Sequence, residues 1–168
     1  MAVDHLKSTP ITNADSLPRI ANNSFVTGGE LRASVGTLET IAAGSVGSTY
    51  RLARVPSTAR VHRVIFAADA SGATGQLDIG LYQTAENGGA VVDADFFASA
   101  IDPGGGAIAP TDVTHESGEY PIEDAEMPLW KALGLSADPF VEYDIAATAV
   151  TEAMANASTL TLKVEYVV

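Results

Sequence analysis

The chain contains no cysteine, so a disulfide framework, a thiolate metal site and a cysteine nucleophile are all excluded. Positive charge is scarce too: 9 Lys and Arg stand against 21 Asp and Glu, a net charge of −12. Binding to nucleic acid depends on neutralising phosphates with basic side chains, and so does adhesion to an anionic membrane. Neither partner is expected. The acidic balance keeps copies dispersed, and it also suits a basic partner surface or divalent cations. No run of about 18 apolar residues occurs, which excludes a transmembrane helix. The opening Met1-Ala-Val-Asp-His-Leu-Lys7 has no apolar core of signal-peptide length, so a soluble product outside the general secretory route is expected.

What the chain does have is alternation. Leu160, Leu162, Val164, Tyr166 and Val168 fall on one face of the closing stretch, with Thr159, Thr161, Lys163 and Glu165 on the other. That pattern predicts a half-buried strand whose register is set by burial. Similar stretches recur. Leu31, Ala33 and Val35 alternate with Arg32 and Ser34, ahead of a Gly44-Ser-Val-Gly47 turn. Ser48–Val55 and Ala59–Ala68 form the next pair, the second apolar on both faces towards its end, as in a strand buried between layers. After the Asp69–Gly75 loop, Gln76–Thr84 places Leu77, Ile79 and Leu81 inward and Gln76, Asp78 and Tyr82 outward. Glu86-Asn-Gly-Gly89 carries residues suited to positive φ and predicts a tight turn.

Further on, Asp93–Ile101 reads as a short helix capped by Asp93 or as a strand, with the helix preferred. Asp102–Gly106 is a loop and Ala107–Glu116 a strand. Met127–Gly134 predicts a helix of about two turns, residues 128–133, with Pro128 in the first turn and Gly134 just past the end. It must be held by packing of Leu129, Trp130 and Leu133. Phe140–Val150 and Ser158–Val168 read as a last hairpin joined by Thr151–Ala157.

The expected fold is therefore all-β: an antiparallel, jelly-roll-like β-sandwich with one short helix, formed by residues 31–168. Residues 1–30 differ. Pro10, Asn13, Asp15, Pro18, Asn22, Asn23, Gly28 and Gly29 break any period, yet Ile11, Leu17, Ile20 and Phe25 are spaced among them. An extended N-terminal arm that lays isolated apolar residues on another surface accounts for both facts. A disordered terminus, or an arm packed on its own domain, are the alternatives.

No catalytic, cofactor-binding or metal-binding constellation is legible. His5, His62 and His115 have no second ligand at metal-site spacing, and read as solvated or hydrogen-bonded structural histidines. Gly44-Ser-Val-Gly-Ser48 lacks the Gly-x-Ser-x-Gly pattern of a nucleophile elbow, and Gly104-Gly-Gly106 lacks the lysine and helix of a phosphate cradle. Asp93 and Asp95 are close in sequence, and Glu116, Glu119, Glu123, Asp124 and Glu126 form an acidic loop that could take a structural calcium ion. It lacks the ladder and turn glycine of an EF-hand, and a solvated loop is the expectation. Trp130 is expected in the core beside Leu129 and Leu133 rather than as a sugar platform.

Four stretches resemble a family of small structural proteins of tailed bacteriophages: Ile11–Arg19, Ser48–Pro56, Pro110–Gly118 and Pro128–Pro139. With the closing strand the resemblance covers most of the chain. It rests on architectural motifs and carries no chemistry. It implies a non-catalytic capsid decoration (cement) protein on the outer surface of the virion's icosahedral head, made in the cytoplasm of the host bacterium. The implied partner is the major capsid protein, with a homo-oligomer, a trimer favoured, and no cofactor. On this reading Ile11, Leu17, Arg19, Ile20 and Phe25 dock the arm. A head-fibre or tail adhesin binding a receptor or glycan is the alternative, and exposed aromatics on one loop edge would favour it. A glycan hydrolase is a third reading, without a recognisable nucleophile or metal set.

Overall fold

The computed structural model describes residues 6–41, 45–71 and 75–168. Its strands are β1 (Arg32–Glu39), β2 (Thr49–Pro56), β3 (Arg60–Ala68), β4 (Leu77–Gln83), β5 (Val91–Ile101), β6 (Ile108–Asp112), β7 (Glu142–Ala149) and β8 (Thr159–Val167). They form two antiparallel four-stranded sheets, β1-β8-β3-β6 and β2-β7-β4-β5. The expected all-β sandwich is what folds. Among the described residues two short α-helices accompany it, α1 (Thr9–Asp15) and α2 (Leu129–Ala132). No helix among the described residues is long and apolar enough to cross a membrane. His5, part of the Gly44–Gly47 turn and part of the Asp69–Gly75 loop lie outside the described residues.

The core forms between the sheets. Leu77, Ile79, Leu81, Ile145 and Val55 come from one sheet, and Val61, Val64, Phe66, Leu160, Leu162 and Val164 from the other. At side-chain contact distances each such residue contributes about 1.5–3 kcal/mol by leaving water. The Glu86–Gly89 turn forms as expected, with Gly88 and Gly89 at φ 92° and 67°.

Several expectations are corrected. The last two strands are not a hairpin: β7 pairs with β2 and β4, and β8 with β1 and β3. Their apolar faces meet across the core instead of lying side by side, and the segment between them carries the chain from one sheet to the other. On β1 the inward face is Ser34, Gly36 and Leu38, while Leu31 and Val35 are exposed. Directly paired residues share a face, and Ser34, Gly36 and Leu38 pair with Val164, Leu162 and Leu160, which are buried. Gly36 also faces the β2 backbone, where a Cβ would run into the Leu52 carbonyl.

Residues 93–101 belong to a strand, not a helix. The pairing with β4 jumps from Leu81–Asp93 to Ile79–Ala98, so the intervening residues bulge out of the ladder. Successive Phe96 and Phe97 are thereby both buried, which hid the period of 2. On β3 a bulge between Val61 and Arg63 turns Val61, Val64, Phe66 and Ala68 all inward. Its outer face, at Ile65 and Ala67, is only half-buried, so among the described residues no second layer covers that face. On β8 the alternation fails after Val164: Val167 is buried, Tyr166 half-buried and Val168 exposed. Tyr82 is on the outer face, as alternation requires, but buried there under the Arg51 guanidinium, 5.2 Å from the ring centroid.

Helix α2 is shorter than expected. Leu129 is its buried residue, and the Leu129 and Trp130 N–H groups donate to the Ala59 and Ser57 carbonyls, pinning it to the β2–β3 connection. Trp130 itself is half-buried rather than a core residue.

Candidate functional site

The N-terminal segment is not uniformly extended. Residues Thr9–Asp15 form α1, with Pro10 in the first turn, where its missing N–H is harmless. Immediately after, the chain closes into a loop. The Ser16 hydroxyl donates to the Asn13 carbonyl (2.7 Å), and the Ile20 N–H returns to the Ser16 Oγ (3.0 Å) and the Asn13 carbonyl (3.2 Å). Asn13 Nδ2 donates to Asn22 Oδ1 (2.9 Å), and Asn22 Nδ2 to the Pro10 carbonyl (3.1 Å). The asparagines that break the sequence period are therefore the braces. Leu17, Pro18 and Arg19 are left at the tip, all exposed, with Leu17 at 97%.

Ile11 and Ile20 are also more than half exposed, whereas Phe25 is half-buried with the Arg60 guanidinium 4.1 Å over its ring. Of the five residues singled out in this segment, Ile11, Leu17, Arg19 and Ile20 face outward. Phe25 instead ties the segment to β3 of its own chain. Arg19 makes no ion pair among the described residues.

The second feature is a cleft of about 650 Å³ at one end of the sandwich. Val92, Asp93 and Phe96 of β5, Leu133 and Leu135 beyond α2, and Glu119 line it. Its walls are mixed, with Val92, Phe96, Leu133 and Leu135 facing polar Gln83 and Asn87, and its two carboxylates have no cationic partner among the described residues. Burial raises the Asp93 carboxyl above the ordinary carboxylate range, helped by neighbouring Asp95 and by the charge of Glu119. Between the lining residues Pro139 and Val141, Phe140 is 87% exposed and holds φ 54°, a conformation uncommon for a bulky residue, with its N–H donated to Asp138 Oδ1 (2.9 Å).

The acidic loop does not converge on a point. Glu116 accepts the Ser99 N–H (2.8 Å), Glu119 faces the cleft, and Glu123, Asp124 and Glu126 sit in a 3₁₀ turn. Among the described residues no three His, Asp or Glu are grouped to hold a metal. His115 stacks on Tyr120 and its Nδ1 lies 2.7 Å from the Tyr120 carbonyl, while His62 is exposed.

One polar cluster had no sequence signal. Asp144 is only 7% exposed and receives Arg54 Nε (2.6 Å) and Arg51 Nη1 (2.9 Å). Arg51 goes on to the Gln83 and Gly89 carbonyls, bracing the β4–β5 turn. Burial raises the Asp144 carboxyl, but the hydrogen bonds from Arg54 and Arg51 outweigh it and hold the carboxyl below its ordinary range. Only the β2–β7 pairing brings these residues together, so a sequence reading had no way to connect them.

Among the described residues, then, the chain combines a two-sheet sandwich with a braced, outward-facing apolar loop and an end cleft. Comparison with solved structures agrees on the fold. The chain is similar to one in the structure of the cyanophage Pam1 capsid asymmetric unit, at 14% identity and a TM-score of 0.52, covering 92% of this chain and 95% of that one. It is also similar to one in the capsid of Ralstonia phage GP4, at 15% identity and a TM-score of 0.59, covering 83% and 84%. No protein-family model matches the sequence, and no curated protein matches it.

Proposed function

We propose that this chain is a structural protein of a tailed-bacteriophage virion, and within that class a capsid decoration (cement) protein. It binds the outer surface of the icosahedral head and stabilises it without catalysis. The observation that carries the reading is a fold shared, over most of both chains, with chains from two phage capsid structures. The strand order β1-β8-β3-β6 facing β2-β7-β4-β5 supports a jelly roll, the double-sheet arrangement found in capsid domains.

In this reading residues 31–168 are the domain that sits on the shell, and residues 1–30 are an arm that reaches a neighbouring subunit. Ile11, Leu17, Arg19 and Ile20 supply the arm's docking contacts, and Phe25 roots it. The partners are the major capsid protein and further copies of this chain, with a trimer favoured. A protein that binds the mature shell and not its precursor stabilises the shell by mass action. Linked copies add weak contacts into firm attachment.

Co-sedimentation of the protein with undecorated heads tests this. Saturable binding at a copy number set by the head's symmetry is expected. Absence of binding would overturn the decoration role and direct attention to receptors or glycans.

A further inference from the structure

We propose that the end cleft receives the Leu17–Ile20 loop of a second copy of this chain, with Leu17 on the apolar wall and Arg19 against the Asp93 and Glu119 carboxylates. This rests on reading residues 1–30 as a docking arm, and it names the subunit that receives it.

Four observations lead there. First, the loop is prepared for a partner. Leu17 is almost wholly in water, yet it sits on a tip braced by Ser16, Asn13 and Asn22 rather than on a mobile tail. Ordering a loop before binding removes part of the entropy that association would otherwise cost.

Second, the cleft matches the loop in size and character. At about 650 Å³ it lies in the range of roughly 300–1,000 Å³ typical of pockets for a small molecule, a size comparable to a few side chains. Third, the charges complement one another. Arg19 lacks an acidic partner, and Asp93 and Glu119 lack a basic one, within the described residues. Crowding of Asp95 and Glu119 around Asp93 is relieved by an incoming guanidinium. Chains of −12 repel one another in general, so self-association needs local points where opposite charges meet, and this is one.

Fourth, no residue of the loop lines the cleft of its own chain. A loop on one copy entering a cleft on the next is a heterologous contact, which closes into a ring when the rotation permits. That is the geometry a cyclic oligomer requires.

The absence of cysteine makes a clean test. Full-length Leu17→Cys and Leu135→Cys variants, carrying different affinity tags, are mixed and mildly oxidised. Both positions are exposed, and circular dichroism confirms that each variant is folded. The expected result is a disulfide dimer of mixed tags in clear excess over the two homodimers. Adding Arg19→Glu to both variants is expected to lower the mixed yield roughly tenfold or more, and Glu119→Lys added alongside it to restore the yield. A random mixture of dimers, or a mixed yield indifferent to Arg19→Glu, overturns the proposal. Decorated heads without mixed dimers leave the decoration role standing and remove this inference. Mixed dimers without head binding do the reverse.

Discussion

The N-terminal loop and the sandwich use the same kinds of apolar residue and put them to opposite ends. Leu17 is 97% exposed on a loop held by side-chain amides and a hydroxyl; Leu162 is wholly buried at the centre of a sheet. In the sandwich, shape is maintained by area removed from water. In the loop it is maintained by local hydrogen bonds, which leaves the apolar side chains free to meet another surface. On the proposed reading stability and recognition are separated along the chain, and each is expected to be removable without the other.

The largest break in that comparison comes from the core. In denaturant unfolding Phe97→Ala is expected to cost about 3–5 kcal/mol and Leu162→Ala about 2–5 kcal/mol, since the cavity adds to the lost transfer energy. Leu17→Ala is expected to stay within about 0.5 kcal/mol, as substitutions in open solvent do. Next comes Gly36→Ala. The added methyl meets the Leu52 carbonyl, so β1 and β2 must part, and a loss of about 1–3 kcal/mol is expected from calorimetry.

Asp144→Ala follows, with an expected loss of about 1–3 kcal/mol. It falls towards the lower end because Arg51 and Arg54, a third to a half exposed, find water when the carboxylate goes. This effect depends on pH. The folded-state pKa of Asp144 is depressed, so its contribution is fully present above the unfolded value of about 3.9 and disappears as pH falls through the lower folded value. The stability gap between wild type and Asp144→Asn, followed by urea unfolding from neutral pH downwards, is expected to close only in that acid range. Asp93 has the opposite sign. Its folded-state pKa is raised, so ionisation opposes folding above that value, and Asp93→Asn is expected to raise stability slightly at neutral pH. A small effect is also expected for Lys7→Ala. Its pair with Asp15, at 2.8 Å between two side chains more than half exposed, contributes at most about 1 kcal/mol.

Much of the fold was legible because its signals are local. The alternation of Leu160, Leu162 and Val164 fixed a strand and its buried face, and Glu86–Gly89 announced a turn through residues that accept positive φ. What was not legible is pairwise and distant. Nothing within β1 says that Gly36, rather than Val35, faces the core, because that choice is imposed by β8 more than a hundred residues later. The same holds for β7 and β8, whose matching patterns fit a hairpin and two facing sheets equally well.

The loop was half legible. Its apolar residues were conspicuous, but helix α1 and the asparagine braces read as period breaks, since Asn and Ser signal turns by the same local hydrogen bonds that here hold a fixed shape. The cleft had no sequence signature, because β5, the 119 region and the stretch beyond α2 meet only in three dimensions.

The most direct test of the account compares occupancy of undecorated heads by the full-length chain and by a Leu17→Ser/Ile20→Ser variant, with thermal unfolding measured on both. The account predicts equal unfolding temperatures and a loss of head occupancy for the variant. Full occupancy by the variant would contradict it.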